Sequence, residues 1–205
     1  MRKRFIFLGV LLIILSVSIS GCSSDTPSVQ PTPGTPTQQT TTAKQLSTIE
    51  PSEMALQLSD LPANFIIQNR VEKVRSDVNQ EAINLGWKSG YLVTVSRTDL
   101  QALQGTVIDQ TISIYPVGTL SKVLLGSKNV YQNLTSSGFV LDELSNPQIG
   151  DQSKAFRLVA SSDGSKIYII DFTKKDVYES LRMTGKTTDY ELLKDLAKIA
   201  AAKIK

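Results

Sequence analysis

The sequence predicts an α+β domain with a mostly antiparallel central sheet and helices packed on it, including a C-terminal amphipathic helix. Segments of alternating apolar and polar residues recur between segments with helical spacing. Asp163-Gly164 separates two apolar segments and is the strongest hairpin signal in the chain. Near the C-terminus, Thr188 and Glu191 fit a capping box in front of a long apolar stripe.

The first half of the domain shows helical and strand patterns in alternation. Ser52 is the expected N-cap of the first helix, and Leu58 is expected on its inner face. Asp77 with Gln80 fits a capping box for the second helix, which Gly86 should end. The patterns predict a helix over 51–58, a strand over 65–74, a helix over 77–85 and strands around 91–95 and 108–114.

The second half begins with the clearest helix in the middle of the chain, predicted over 119–137. Val130 is expected on its apolar face, and Gly138 should end it. Gly126 within this helix costs about 1 kcal/mol relative to alanine, which indicates a kink or close packing. Further patterns predict a strand over 139–144, a loop over 147–151, strands over 155–160, 166–172 and 177–183, and a C-terminal helix with Leu192, Leu193, Leu196, Ala200 and Ile204 inside.

The N-terminus has the pattern of a secretory signal. Basic residues 2–4 precede an apolar run over 5–19, and these 15 residues are fewer than the roughly 20 that span a bilayer. Ile19-Ser20-Gly21-Cys22 closely resembles a bacterial or archaeal lipobox. The resemblance implies removal of residues 1–21 and a thioether-linked diacylglycerol, with acyl chains such as palmitate, on Cys22. The alternative is an uncleaved anchor with an incidental cysteine.

Residues 22–45 are expected to form a disordered tether behind the lipidated cysteine. The segment is rich in threonine, proline, serine and glutamine, with Val29 as its only aliphatic residue. Such a composition cannot bury enough apolar surface to fold. Fully extended, it would reach about 70 Å at ~3.1 Å per residue. The globular domain is therefore predicted over residues 46–205.

Charge and composition exclude several functions. Three of the 22 basic residues lie within the signal, which leaves 19 basic against 19 acidic residues. A nucleic-acid-binding domain would show a basic surplus, so nucleic acid is not an expected partner. The chain has no histidine and one cysteine, so the commonest general base and metal ligand is missing. We expect no metal, no cofactor and no enzymatic activity.

Short sequence words resemble a group of envelope lipoproteins. They are Leu58-Ser59-Asp60-Leu61-Pro62, the Ile149-Gly150-Asp151 loop, the hairpin and the terminal helix. That group is similar to the extracellular sensor domains of mycobacterial serine/threonine kinases of the PknH type, and more distantly to PsbP-like domains. The resemblance implies an antiparallel sheet flanked by helices and a ligand-binding or sensing role. It transfers no functional residue, and the disulfides of the kinase domains are missing here.

Three sets of side chains invite a functional interpretation. Asn133-Leu134-Thr135 fits the N-glycosylation pattern, with Asn133 pointing away from the apolar helix face. Asp142 and Glu143 are adjacent on a predicted strand, so their side chains should point to opposite faces and not converge. Four aromatic residues could each line a pocket or belong to ordinary core: Trp87, Tyr91, Phe139 and Tyr168.

The sequence thus favours a lipid-anchored, non-enzymatic module outside the cytoplasm that binds a small molecule or an envelope protein. The membrane is the expected partner through Cys22. One alternative is a structural or assembly role within an envelope complex, which predicts an exposed apolar patch. Another is a histidine-free hydrolase, which predicts two carboxyl groups with raised pKa values converging in a cleft.

Overall fold

The structure is a computed structural model that describes residues 46–97, 105–185 and 187–205. Within these residues, seven strands form one sheet in which every neighbouring pair is antiparallel. The strands are β1 (Phe65–Lys73), β2 (Ser89–Arg97), β3 (Thr106–Ile114), β4 (Phe139–Leu144), β5 (Gln152–Ala160), β6 (Lys166–Lys174) and β7 (Val177–Gly185). Their order across the sheet is β1-β2-β3-β7-β6-β5-β4, which leaves β1 and β4 at the two edges.

Helices cover both faces of this sheet. The described part of the chain contains α1 (Pro51–Met54), α2 (Gln80–Asn84), α3 (Leu120–Asn133) and α4 (Tyr190–Lys203). Helices α1 and α4 pack on one face, α1 against β2 and β3 and α4 against β6 and β7. Helix α3 packs against β5, β6 and β7. The predicted α+β class and the C-terminal helix are confirmed.

Strand alternation gives the two faces different chemistry. The core face carries Val93, Ile112, Leu181 and Ile170, all buried under α1 and α4. The opposite face, here called the groove face, carries a cross-strand row listed from β2 to β6: Leu92, Thr111, Ser180 and Asp171. Because side chains alternate along a strand, each residue is assigned to a face by the register alone.

The hairpin prediction is confirmed. Asp163 and Gly164 lie in the turn that joins β5 to β6. Gly164 has a φ of +69°, in the left-handed region that glycine adopts without steric cost. Its N–H donates to the carbonyl of Ala160 at 2.9 Å. The predicted strand after this hairpin is β7.

The first helix differs from the sequence prediction at both its start and its end. The first helix ends at Met54, with Glu50 at the N-cap position instead of Ser52. Leu58 belongs to a separate 3₁₀ turn and is exposed. The proline at the first helical position explains the earlier start, because its fixed φ suits that position and it lacks the N–H that a cap would satisfy.

Both predicted capping boxes were wrong in their cap residue. For α2 the cap is Asn79, whose side chain accepts from the N–H of Ala82 at 2.8 Å, whereas Asp77 accepts from the N–H of Val74 in the preceding 3₁₀ turn. For α4 the cap is Asp189, which accepts from Leu192 at 3.1 Å. Asparagine and aspartate compete well for N-cap positions, so a neighbouring Asx residue shifted each start.

The long middle helix was predicted over a range that combines three observed elements. A 3₁₀ turn over Val117–Thr119 leads into α3, and another over Leu134–Ser137 follows it before Gly138, whose φ is +86°. Val130 was expected on the apolar face but is 50% exposed. It lies beyond the buried first part of the helix and borders an open groove described below.

A buried polar pair joins strands on the core face. The Gln110 side chain accepts from the N–H of Leu56 at 2.8 Å and donates to Glu179 Oε2 at 2.8 Å. Glu179 Oε1 has no hydrogen-bond partner in the described ranges. Burial raises the pKa of Glu179 to about 8, although the hydrogen bond from Gln110 and the charge of Lys203 oppose the rise.

This carboxyl should make the free energy of unfolding depend on pH. The folded protein keeps a proton that the unfolded chain releases above its ordinary pKa of 4.5. Stability is therefore lost as the pH rises toward about 8, by up to about 1.4 kcal/mol per pH unit. Above that pH the loss should level off.

We expect Glu179→Gln to remove this contribution. Denaturant unfolding at pH 5, 6, 7 and 8 should show the advantage of the wild type over Glu179→Gln shrinking as the pH rises. Glu53→Gln, the same change at an exposed site on α1, should keep the wild-type pH dependence. A difference between wild type and Glu179→Gln that is constant across this pH range would contradict the assignment.

Candidate functional site

A groove lies between α2 and α3 on the groove face of the sheet. Its first cavity has a volume of about 210 Å³. Apolar and aromatic side chains from both helices and from the strands below dominate its lining: Ala82, Leu85, Tyr115, Val123, Tyr131 and Tyr178. Such a lining with few polar groups is typical of small-molecule sites.

Two further cavities continue this groove along the sheet. One, of about 350 Å³, shares Tyr131 with the first and extends over Leu92 and Ser180. The other, of about 300 Å³, shares Tyr115 and Tyr178 with the first and includes Trp87. The groove therefore follows the cross-strand row that defines this face.

Gly126 forms part of the α3 wall of the first cavity. The helix continues through this residue. Beyond the helix's own backbone and its two chain neighbours, a Cβ placed here would meet only Glu81 Oε1 within 4 Å, at 3.4 Å. Close packing, one of the two reasons expected from the sequence, therefore does not explain the glycine. Its missing side chain instead leaves open space in the groove.

A buried carboxyl lies beneath the groove. Asp171 is fully buried, and its Oδ1 accepts from the hydroxyl of Tyr131 at 3.2 Å. Its Oδ2 has no hydrogen-bond partner among the residues that the structure describes. Burial raises the pKa of Asp171, whereas the hydroxyls of Ser127, Ser180, Tyr131 and Tyr178 oppose the rise. All four of these hydroxyl-bearing residues line the groove.

The tyrosine hydroxyls of the groove stay protonated. Burial raises the pKa of Tyr131 and of Tyr178, and the nearby Asp171 adds to both shifts. Burial likewise raises the pKa of Tyr115 to about 12, with a smaller contribution from the charge of Glu81. These groups can therefore donate or accept hydrogen bonds but cannot act as bases near neutral pH.

The two buried carboxyl groups whose pKa values are raised, those of Asp171 and Glu179, do not converge. Asp171 pairs across the sheet with Ser180, and Glu179 pairs with Phe172, so alternation places the two carboxyl side chains on opposite faces. In the described ranges no three Asp, Glu, Cys or His side chains lie close enough together to hold a metal ion. The geometry thus gives the carboxylate-pair hydrolase hypothesis no support.

The residues singled out from the sequence lie apart from one another. Cys22 falls outside the described residues. Asn133 is exposed at the end of α3, as expected for an acceptor site. Asp142 binds Arg157 at 2.8 Å, and the neighbouring Glu143 instead pairs with lysines, Lys154 among them at 3.6 Å. These acidic residues form separate surface ion pairs.

The four aromatic candidates do not share a pocket. Trp87 packs with the cluster around Tyr115 and lines the groove. Tyr91 and Tyr168 pack against the main core, and Phe139 packs against a third cluster. The tyrosines that do line the groove, Tyr115, Tyr131 and Tyr178, were missed as site residues. Each lies in or beside an apolar segment, and only the pairing of β7 with β3 and β6 brings them together.

Comparison with known proteins bears on the fold. No family model and no curated protein sequence matches this chain. The extracellular domain of PknH from Mycobacterium tuberculosis superposes with a TM-score of 0.55 at 10% identity, over 74% of this chain and 93% of that domain. The two share a fold. An uncharacterised protein from Mycobacterium smegmatis has a TM-score of 0.45 at 8% identity, over 76% of this chain and 96% of its own.

The PknH-type fold expected from the short sequence words is therefore confirmed. At 10% identity, the likeness concerns the fold and carries no residue roles. None of the helices in the described ranges has the length and apolar character needed to cross a membrane.

Gly126→Ala should raise the stability of the protein. The change removes the conformational cost of a helical glycine, about 1 kcal/mol, and should raise Tm by about 2–4 °C. Thermal unfolding followed by circular dichroism measures this shift. The contrasting variant is Gly86→Ala, because Gly86 has a φ of +86° and its added Cβ would lie 2.9 Å from Pro116. That variant should lower Tm, and a lower Tm for Gly126→Ala would show that packing requires the glycine.

Proposed function

We propose that this chain is a non-enzymatic, lipid-anchored module outside the cytoplasm that binds a small ligand in the groove between α2 and α3. The observation that carries the proposal is the groove over Asp171. The glycine at position 126 lowers the stability of the helix beside the groove, and one oxygen of the buried carboxyl below it has no hydrogen-bond partner among the described residues. Groups that lower stability without a packing reason are typical of binding sites.

The proposed location rests on the N-terminal sequence and on the fold. Cys22 is the expected lipid attachment site, and residues 22–45 supply the expected tether to the membrane. The fold is that of a domain described as extracellular in PknH. In that arrangement the tether would hold the binding domain above the outer surface of the membrane.

An assembly role is the second candidate, and the exposed edge of the sheet favours it. Strand β1 is an edge strand of nine residues. Ile66, Val71 and Val74 on or beside it are exposed. An edge strand with exposed apolar side chains can pair with a strand of another protein.

Filling the groove tests the binding role. In Gly126→Phe, a ring enters the first cavity from the α3 wall, where the added Cβ would meet only the end of the flexible Glu81 side chain within 4 Å beyond the helix's own backbone. Native mass spectrometry of the protein purified gently from its host should show an extra mass on the wild type that Gly126→Phe lacks. Leu125→Phe is the control, because it places a ring on the preceding residue, which is 58% exposed. This variant should keep the ligand. A bare wild-type mass would favour the assembly role, with cross-linking on intact cells as its next test.

Lipidation is tested at its attachment site. Intact-mass analysis of the membrane-extracted protein should show a chain that begins at Cys22 and carries a diacylglycerol. Cys22→Ser should abolish that mass and release the protein into the medium, whereas Ser23→Ala should leave both unchanged. Unchanged membrane retention of Cys22→Ser would count against the lipid anchor and favour an uncleaved N-terminal segment.

A further inference from the structure

The first cavity of the groove is lined by one negatively charged residue and by no positively charged residue among those described. Glu81 is the only charged residue that lines the first cavity, and it forms no ion pair within the described ranges. In the adjoining cavities, Asp109 pairs with Arg182 at 3.3 Å, and Lys73 and Asp77 supply one charge of each sign. An anion would therefore find no free positive charge in the first cavity.

The walls of the first cavity are suited to a cation. Three tyrosine rings, those of Tyr115, Tyr131 and Tyr178, line it. The faces of aromatic rings attract ammonium groups held close to them, most strongly where water is excluded. All three hydroxyls have raised pKa values and remain neutral, so the rings add no charge of their own.

The buried carboxyl gives a second, independent indication. Asp171 is fully buried, and its Oδ2 has no hydrogen-bond partner among the described residues. Its Oδ1 accepts from the hydroxyl of Tyr131, whose side chain lines the groove. A carboxyl group in a low-dielectric site is stabilised by a nearby positive charge. A purely apolar ligand would place no positive charge near Glu81 or above Asp171.

Resting on the proposed function, we infer that the groove binds an organic cation of the alkylammonium or quaternary ammonium class, held between the tyrosine rings with Glu81 at the mouth. The apolar part of the ligand lies against Val123 and Leu85. The gap at Gly126 gives the cationic group its room.

The only tryptophan of the chain gives a direct readout, since Trp87 lines the adjoining cavity. The full chain, purified in a nonionic detergent, is titrated with choline and with 3,3-dimethylbutan-1-ol, a neutral molecule of the same shape. Trp87 emission and calorimetry follow both titrations. Choline should bind at least about ten-fold more tightly than the neutral alcohol, which corresponds to ~1.4 kcal/mol.

Charge variants connect the selectivity to this groove. Glu81→Gln should weaken choline binding roughly two- to five-fold, as expected for one partly exposed charge. Glu53→Gln, the same change on the opposite face of the sheet, should have no effect. Gly126→Phe should abolish binding of both probes, because the ring occupies the first cavity.

Other outcomes would overturn the inference. Equal affinities for the two probes, or tighter binding of the alcohol, would show an apolar site without cation selectivity. Choline binding that Gly126→Phe leaves intact would place the cation elsewhere on the protein. Binding of neither probe would also reject the cation class. None of these results decides the binding role itself, which depends on the separate mass-spectrometric comparison of wild type with Gly126→Phe.

Discussion

The core face depends on the two hydrogen bonds made by the side-chain amide of Gln110. Its oxygen accepts from the N–H of Leu56 and its nitrogen donates to Glu179, each at 2.8 Å. Leaving either buried partner unmatched would cost about 1–3 kcal/mol. One side chain therefore fixes the segment after α1 against β3 and β7 in a single position. A sheet with only apolar residues on this face would allow that segment to slide.

The same segment is also held from its other sides. The carbonyl of Ala55 accepts from Lys203 at 3.1 Å, and the carbonyl of Leu56 accepts from Arg70 at 3.2 Å. Lys203 also pairs with Asp60, which joins the N-terminal segment to the end of α4. Both ends of the described domain thus close over the core face. In the described ranges the groove face is covered by α2 and α3, and this difference leaves a groove open between them.

Local patterns were sufficient to predict most strands and the fold class, because alternation and turn residues act over a few neighbouring positions. The Asp163-Gly164 turn and the buried side of β3 followed from such signals. Helix starts depend on a choice between adjacent capping residues, as at Asp77 and Asn79, and were less predictable. The groove could not be predicted, because Tyr131 and Tyr178 meet only through pairings between strands distant in the sequence. Asp171 likewise resembled an ordinary polar residue at the end of a strand.

Two of the buried carboxyl groups, those of Glu179 and Asp171, lie in different surroundings. Glu179 belongs to a hydrogen-bonded chain inside the core, so Gln110 and Leu56 explain its presence. Asp171 accepts from the hydroxyl of Tyr131 at 3.2 Å and lies under a groove that a helical glycine helps to keep open. Burial of a carboxyl and a helical glycine each lower stability, and here they do so within one site. Both carboxyl groups keep one oxygen without a hydrogen-bond partner in the described ranges, so what distinguishes Asp171 is its place beneath an open groove.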